Sequence, residues 1–335
     1  MTGKENNIQA AFDEIILRES LAEGYRNHLR QQTMALERSY PWLVRKFFFI
    51  MRRIIRVYRH SRVSEAAPWR HPKGDLALDK HEAYDRKSLY IKDERVAVYT
   101  SLFGSYDVLR EPLLHPENID YYVLTDQEIP EVSAWKPLDA ASLIPAYCQG
   151  DQTLCNRWCK MHPHLIFKDY KYSVYVDSNI WIFSDLTPLT AGLDSFPVAM
   201  FRHKKRDCVY DEIKACLKQK KGTKKIMMAH KKLLLSHGVP KHWGLVEASV
   251  IPRRHMDPGC ISLMEEWWEA FRQNSRRDQI SLIDCLWLKG LKPSDIGTLG
   301  DNLHKCDLFF QMHHAGSPKS ALEPKNLREL LECVD

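Results

Sequence analysis

The sequence predicts an α/β protein: a mostly parallel sheet covered by helices on both faces, with a helical extension before it. Three observations point there. Short apolar runs at Val96–Leu102, 121–125, Tyr172–Val176 and 198–202 read as strands with no polar face. Stretches 153–162, 208–218, Lys224–Ser236, 261–272 and 277–289 space their apolar residues by three and four and read as helices. The two kinds alternate along the chain, as a sheet built from crossover connections requires. With 335 residues the chain can bury a full α/β core and still carry an appended segment.

Taken in order, residues 1–60 form the helical extension. Ile8, Phe12, Ile15, Ile16 and Leu21 give 8–38 a loosely helical apolar spacing. In 41–60, Arg45, Arg52, Arg56 and Arg59 fall on one side of a helix and Phe47, Phe48, Met51, Ile54, Ile55 and Tyr58 cover much of the other. A basic amphipathic helix of this kind suits a membrane interface; the alternative is a helix docked on the core with solvated arginines. Residues 61–94, with Pro68, Pro72 and Gly74, read as a linker, and the core is expected over 95–315. A further strand is expected over 247–252, and 316–335 as a loop with a short terminal helix.

Composition narrows the function classes. Charged residues make up 27% and aromatic residues 10%, the balance of a globular protein. A net charge of +6 is too modest and too dispersed for a nucleic-acid binder. The nine cysteines form no framework, and Cys155 and Cys159 are spaced too far for a CxxC pair. No run reaches the roughly 18 apolar residues of a membrane span, and residues 1–20 lack the apolar run of a cleavable signal peptide. The expected location is cytoplasmic with reduced thiols, and peripheral on the cytoplasmic membrane face if 41–60 lies on a bilayer.

The chemistry-bearing residues cluster around two of the strands. Asp177-Ser178-Asn179 interrupts two apolar runs, an odd place for polar groups, because a buried carboxylate must be compensated. Enzymes that hold a nucleoside-diphosphate sugar through a divalent cation place an Asp-x-Asp-like triplet in such a position. If the chain is extended there, Asp177 and Asn179 point to one face and offer two oxygens to Mg²⁺ or Mn²⁺. The alternative is an ordinary tight turn. On the 153–162 helix, Arg157, Lys160 and His164 form a stripe suited to a pyrophosphate, with Pro163 expected to interrupt the last turn. His203 and Arg206 follow a strand, where open α/β sheets place ligands. Asp207 is a candidate helix cap, as is Ser275 further on. Glu247 leads a strand and can face an acceptor hydroxyl, and Asp278 sits in the first turn of the last long helix.

These segments resemble the glycosyltransferase-like family typified by plant proteins of mucilage and turgor regulation and by bacterial polysaccharide-cluster proteins. The matching pieces are Val98-Tyr99-Thr100 with Phe103-Gly104-Ser105-Tyr106-Asp107, Arg157 to His164, Tyr172 to Ile182, His203 to Cys208, Glu247 to His255, and Trp267-Trp268 with Ser275 to Gln279. The resemblance implies a GT-A-like fold, a Rossmann-type mixed sheet, and a nucleotide-sugar donor. It implies that Thr100, Phe103 and Tyr106 line the nucleoside pocket, that Arg157 and Lys160 face the diphosphate, and that Asp177 with Asn179 binds the metal. It places His203, Arg206, Glu247, Arg254, Asp278 and Gln279 on the sugar and acceptor side.

The function expected is metal-assisted transfer of a sugar to a glycan or lipid-linked acceptor in polysaccharide biosynthesis. Asp278 or Glu247 is the candidate base, with His203 beside them. The competing reading keeps the fold without the chemistry: a membrane-associated nucleotide- or glycan-binding subunit of a polysaccharide assembly.

Overall fold

The computed structural model describes residues 94–104, 106–291, 295–306, 308–317, 320, 321 and 323–334, together with 20, 21, 23–29, 31, 32 and 51. The chain divides into two units, Pro68–Glu323 and a second made of Met1–Ala67 with Pro324–Asp335. In the second unit the described residues between 20 and 32 are helical, as is Met51, and the helix Leu327–Val334 ends the chain. The rest of 41–60, and the linker before Glu94, lie outside the described residues.

Pro68–Glu323 is built on a five-stranded sheet in the order β3-β2-β1-β4-β8. The strands are β1 (Val96–Leu102), β2 (Ile119–Thr125), β3 (Lys136–Asp139), β4 (Tyr172–Val176) and β8 (Val250–Arg253). The first four run parallel, and β8 is antiparallel to β4, pairing Ser173 with Arg253 and Val176 with Val250. All seven residues of β1 are buried, as a central strand covered on both faces requires. Side chains alternate between the two faces. Ala97, Tyr99 and Tyr175 join a core with Trp158, Trp267, Phe271 and Ile283. Val96, Val98, Val174 and Val176 join another with Leu189, Phe201, Leu299 and Phe309.

Three shorter strands, β6 (Ala199–Arg202), β7 (Val246–Glu247) and β9 (Gly297–Gly300), make a second sheet, and β5 (Ile180–Ile182) pairs with β10 (Phe309–Gln311). The single strand expected over 247–252 is thus two strands in different sheets, broken at Ala248 and Ser249. Strands β3, β9 and β10 have no counterpart in the sequence reading. Gly297 in β9 permits the close approach of β6: a Cβ there would lie 2.9 Å from that of Ala199.

The helices are α1 (Ala140–Leu143), α2 (Gln152–Met161), α3 (Pro163–Ile166), α4 (Val209–Lys218), α5 (Lys224–Ser236), α6 (Pro258–Gln273) and α7 (Asp278–Leu288). Asp151 caps α2, its Oδ1 accepting from the amides of Thr153 and Leu154. Pro163 ends α2 as expected, because it lacks the N–H that another turn needs, and it opens α3 instead.

The carboxyl end of α2 is held by a fully buried arginine. Arg253 donates from Nη1 to the Lys160 carbonyl at 2.7 Å and from Nη2 to the Tyr99 hydroxyl. That hydroxyl in turn donates toward the Cys159 and Lys160 carbonyls. A cation at a helix carboxyl end meets the negative pole of its dipole. Replacing Arg253 by Ala should therefore lower stability by about 3 kcal/mol or more, since charged hydrogen bonds and packing volume go together. Urea unfolding of the variant, compared with the parent chain, checks this.

Candidate functional site

A cleft of about 430 Å³ opens at the carboxyl ends of β1 and β4. One wall is the loop after β1, with Phe103, Tyr106 and Asp107; another is the first half of α2, with Gln152, Thr153, Asn156 and Arg157. Asp177 and Ser178 close the end of β4, and Ala248 and Ser249 lead into β8. His203, Arg206, Glu247, Arg277, Asp278 and Gln279 form the opposite side. This is where an open α/β sheet exposes backbone ends and helix amino termini to a ligand.

The β1 loop is shaped by Gly104 and Asp107. Gly104 has φ +64°, and a Cβ there would fall 1.9 Å from Gln152 Nε2, so a larger residue would both strain the backbone and displace the glutamine. Its amide donates to the Asp126 carboxylate. Asp107 is buried and accepts from Ser178 Oγ at 2.6 Å, His314 Nδ1 at 3.0 Å and the Ala315 amide at 3.1 Å. One carboxylate thereby ties the turn after β4 and the segment after β10 to the first strand.

The floor is a network of opposite charges. Lys160 Nζ lies 3.0 Å from Asp278 Oδ2 and 3.3 Å from Asp177 Oδ1, and 5.0 Å from the centre of the Tyr175 ring. Arg157 Nε lies 3.2 Å from the same Asp278 oxygen. Burial by itself would raise the Asp278 carboxyl, but Lys160, Arg157 and Arg277 outweigh it and hold the group well below the usual carboxylate range. Burial would likewise lower Arg157, but Asp278 and Asp177 reverse the direction and secure its charge. Held in this way, Asp278 takes up a proton less readily than an ordinary carboxylate.

The other side holds a carboxylate of the opposite character. Burial raises the Glu247 carboxyl to about 7; Lys204 opposes this, while Asp177, Glu212 and Asp278 add to it. Gln279 Nε2 donates to Glu247 Oε1 at 3.3 Å. His203 is pushed down to about 4, first by burial and then by Arg206, so its ring is neutral near pH 7. Its Nδ1 accepts from the amides of Lys205 and Arg206, at 3.2 and 3.1 Å, which fixes the loop after β6. Arg206 pairs with the buried Glu212.

Of the residues read from sequence, Phe103, Tyr106, Arg157, Asp177, His203, Arg206, Glu247, Asp278 and Gln279 line the cleft. Lys160 lies beneath it, fully buried, with its ammonium engaged by the two aspartates. Four others are placed differently. Thr100 points to the opposite face of β1 from Ser101, which is the residue that lines the cleft. Asn179 does not line it, because residues 177–179 form a turn closed by Ile180 N to Asp177 O rather than an extended chain. Arg254 follows β8, whose antiparallel direction carries it to the amino ends of the parallel strands. There it pairs with Asp257 at 2.8 Å, beside a separate cleft. His164, on α3, bonds Glu265 instead of extending the α2 stripe. Asp207 binds His242, Ser275 binds His230, and neither caps a helix.

The sequence reading missed Asn156, Ser249, Arg277, Gln311 and His314, all of which line the cleft. No local motif marks Gln311 and His314; the β10–β5 pairing brings them there. Away from the triplet, ligand atoms of Cys208, Asp211 and His242 lie within 4.8 Å of one another. Among the described residues the eight cysteines are free and buried, and no helix is long and apolar enough to cross a membrane.

Fold and site together define an α/β protein with a polar, charge-lined cleft at its strand ends. The chain belongs to the TOD1/MUCI70 glycosyltransferase-like domain family, whose model matches residues 77–288. Solved structures that it is similar to include the apo structure of the bifunctional glycosyltransferase WbbM, at 13% identity and a TM-score of 0.40. That match covers 62% of this chain and 39% of WbbM. Another is the glycosyltransferase GlyE of Streptococcus pneumoniae TIGR4, at 14% identity and TM-score 0.39, covering 72% of this chain and 60% of GlyE. A third is apo mouse xyloside xylosyltransferase 1, at 11% and 0.34, covering 62% and 84%. No match was found among curated proteins.

The charge network yields a stability prediction. Lys160→Met should destabilise the protein by about 3–5 kcal/mol near neutral pH, because it leaves Asp278 and Asp177 short of a buried counter-ion. A depressed carboxyl stabilises the fold above its unfolded value, near 3.8, and loses that contribution as pH falls below it. The gap between variant and parent should therefore be widest near neutrality and shrink below about pH 4. Urea unfolding across this range measures it.

Proposed function

We propose that this chain transfers a sugar from a nucleotide-sugar donor to a glycan or lipid-linked acceptor in polysaccharide assembly. The observation that carries the reading is Glu247, a cleft carboxylate raised to about 7, facing a site whose other carboxylates are charge-paired. A base that titrates near the working pH is both deprotonated and able to take a proton.

In this reading Phe103 and Tyr106 offer ring faces to the nucleoside. The amino-terminal turns of α2 and α7 open into the cleft, and their dipoles favour a diphosphate. Arg277 lines the same wall, and its Nε is buried with no hydrogen-bond partner among the described residues. The acceptor hydroxyl gives its proton to Glu247 as its oxygen bonds to the anomeric carbon and the bond to the diphosphate breaks. Charge on the departing diphosphate spreads toward Arg157 and Arg277. Asp278 keeps Arg157 and Lys160 in place, Arg206 and Gln279 flank the acceptor side, and neutral His203 holds the loop.

The triplet is compatible with a divalent cation. Asn179 Nδ2 donates to the Met312 carbonyl at 2.7 Å, while its Oδ1 is buried without a hydrogen-bond partner among the described residues. Asp177, which lines the cleft, is the residue that would hold Mg²⁺ or Mn²⁺ there; Asn179 lies behind it and would join only if the turn opened. When bound, such a cation supplies charge neutralisation at the diphosphate.

The reading is tested by Glu247→Gln. Transfer should fall by about 10²–10⁴-fold while nucleoside-diphosphate affinity holds. The parent rate should rise with pH through about 7, since only the deprotonated carboxylate accepts a proton. A variant that kept the parent rate and pH profile would remove Glu247 from the chemistry. For the metal, Asp177→Ala should abolish the Mn²⁺-dependent part of nucleotide binding, and Asn179→Ala, behind the cleft wall, should weaken it less. Calorimetric titration with and without Mn²⁺ reads both, and unchanged metal dependence in each would dismiss the site.

A further inference from the structure

Helix α5 presents an outward face that nothing in the cleft chemistry uses. Its inward face buries Met227, His230 and Leu234. One position on from Met227 and Leu234, and so about 100° round the helix, Met228 and Leu235 are 42% and 55% exposed, seven residues apart and nearly aligned along the helix. Lys224 and Lys231 run along one flank of that apolar line, Lys225 and Lys232 along the other, each pair again seven apart. None of these four lysines is paired with a carboxylate among the described residues. Between Ile213 and Val246 the chain has nine lysines and no acidic residue.

Single exposed apolar residues are common on solvated surfaces; here two are aligned between rows of lysines. An apolar line between two rows of lysines matches the layering of a membrane interface, where acyl chains lie below anionic head groups. We infer that the outward face of α5 docks on an anionic phospholipid bilayer. Met228 and Leu235 enter the acyl boundary, and the lysine rows meet head-group phosphates on either side. The turn before α5 carries Gln219 and Lys221, which line the cleft. A bilayer on this face therefore lies next to the cleft mouth. This face uses none of the residues assigned to the proposed transfer, so docking stands independently of that reaction.

The test uses the full chain and vesicles of phosphatidylcholine alone or mixed with phosphatidylglycerol. The parent protein should co-sediment with the anionic vesicles at low salt and release as salt rises. Lys225→Glu with Lys232→Glu should weaken partitioning by at least about tenfold, since each basic residue near an anionic surface is worth on the order of fivefold. Met228→Ser with Leu235→Ser should also weaken it, and more evenly across salt. Unchanged thermal melts show that both pairs fold. Parent-like partitioning of both variants, or equal binding to neutral and anionic vesicles, overturns the inference. So does capture of a soluble polyanion such as dextran sulfate that the lysine variant loses and the apolar variant keeps, with vesicles ignored.

Discussion

The buried contact between Lys160 and Asp278 is the constraint on which the site depends. It joins the last turn of α2 to the first residue of α7, 118 positions apart in sequence, and draws in Asp177 from the end of β4. Three elements on one side of the sheet are thus locked by charge in a place with little water. Ions so buried are tolerated only when they are mutually compensated. Arg157 then faces the cleft while its charge is anchored from behind. The cleft has a charge-paired polar floor.

The far wall carries Glu247, whose carboxyl is raised to about 7. Glu247 ends a two-residue strand, half-buried among other acids and balanced mainly by Lys204. The contrast with Asp278 is environmental: Asp278 is buried and ringed by cations, whereas Glu247 is half-buried and has fewer of them. In the proposed function the two groups take separate tasks, Asp278 as a fixed counter-ion and Glu247 as the proton acceptor. The membership in a glycosyltransferase-like family gives these tasks a chemical setting.

Much of the framework was legible in the chain. The apolar runs that became β1 and β4, and the Pro163 break after α2, follow from local rules that hold in any fold. Short strands such as β3 and β10 were not legible, because three or four residues carry too little pattern and are fixed by partners far away. A strand's direction also escapes the sequence, which is why Arg254 was expected in the cleft and lies at the other end of the sheet. In β1 every residue is buried, so nothing in the pattern says whether Thr100 or Ser101 faces the ligand. Asn179 was misplaced for a simpler reason, since a turn breaks the alternation that an extended chain would give.

The central claim is that this cleft holds a nucleoside diphosphate over the Arg157–Asp278–Lys160 floor. The most direct measurement is a thermal-shift panel of nucleosides and their diphosphates, with and without Mn²⁺. A ligand at 100 times its Kd stabilises by about 2.7 kcal/mol, enough to raise the melting temperature visibly. One nucleoside diphosphate should raise it well above its parent nucleoside, and Arg157→Ala should erase most of that difference. If no diphosphate shifts the melt, or if the shift survives intact in Arg157→Ala, the assignment of this cleft is contradicted.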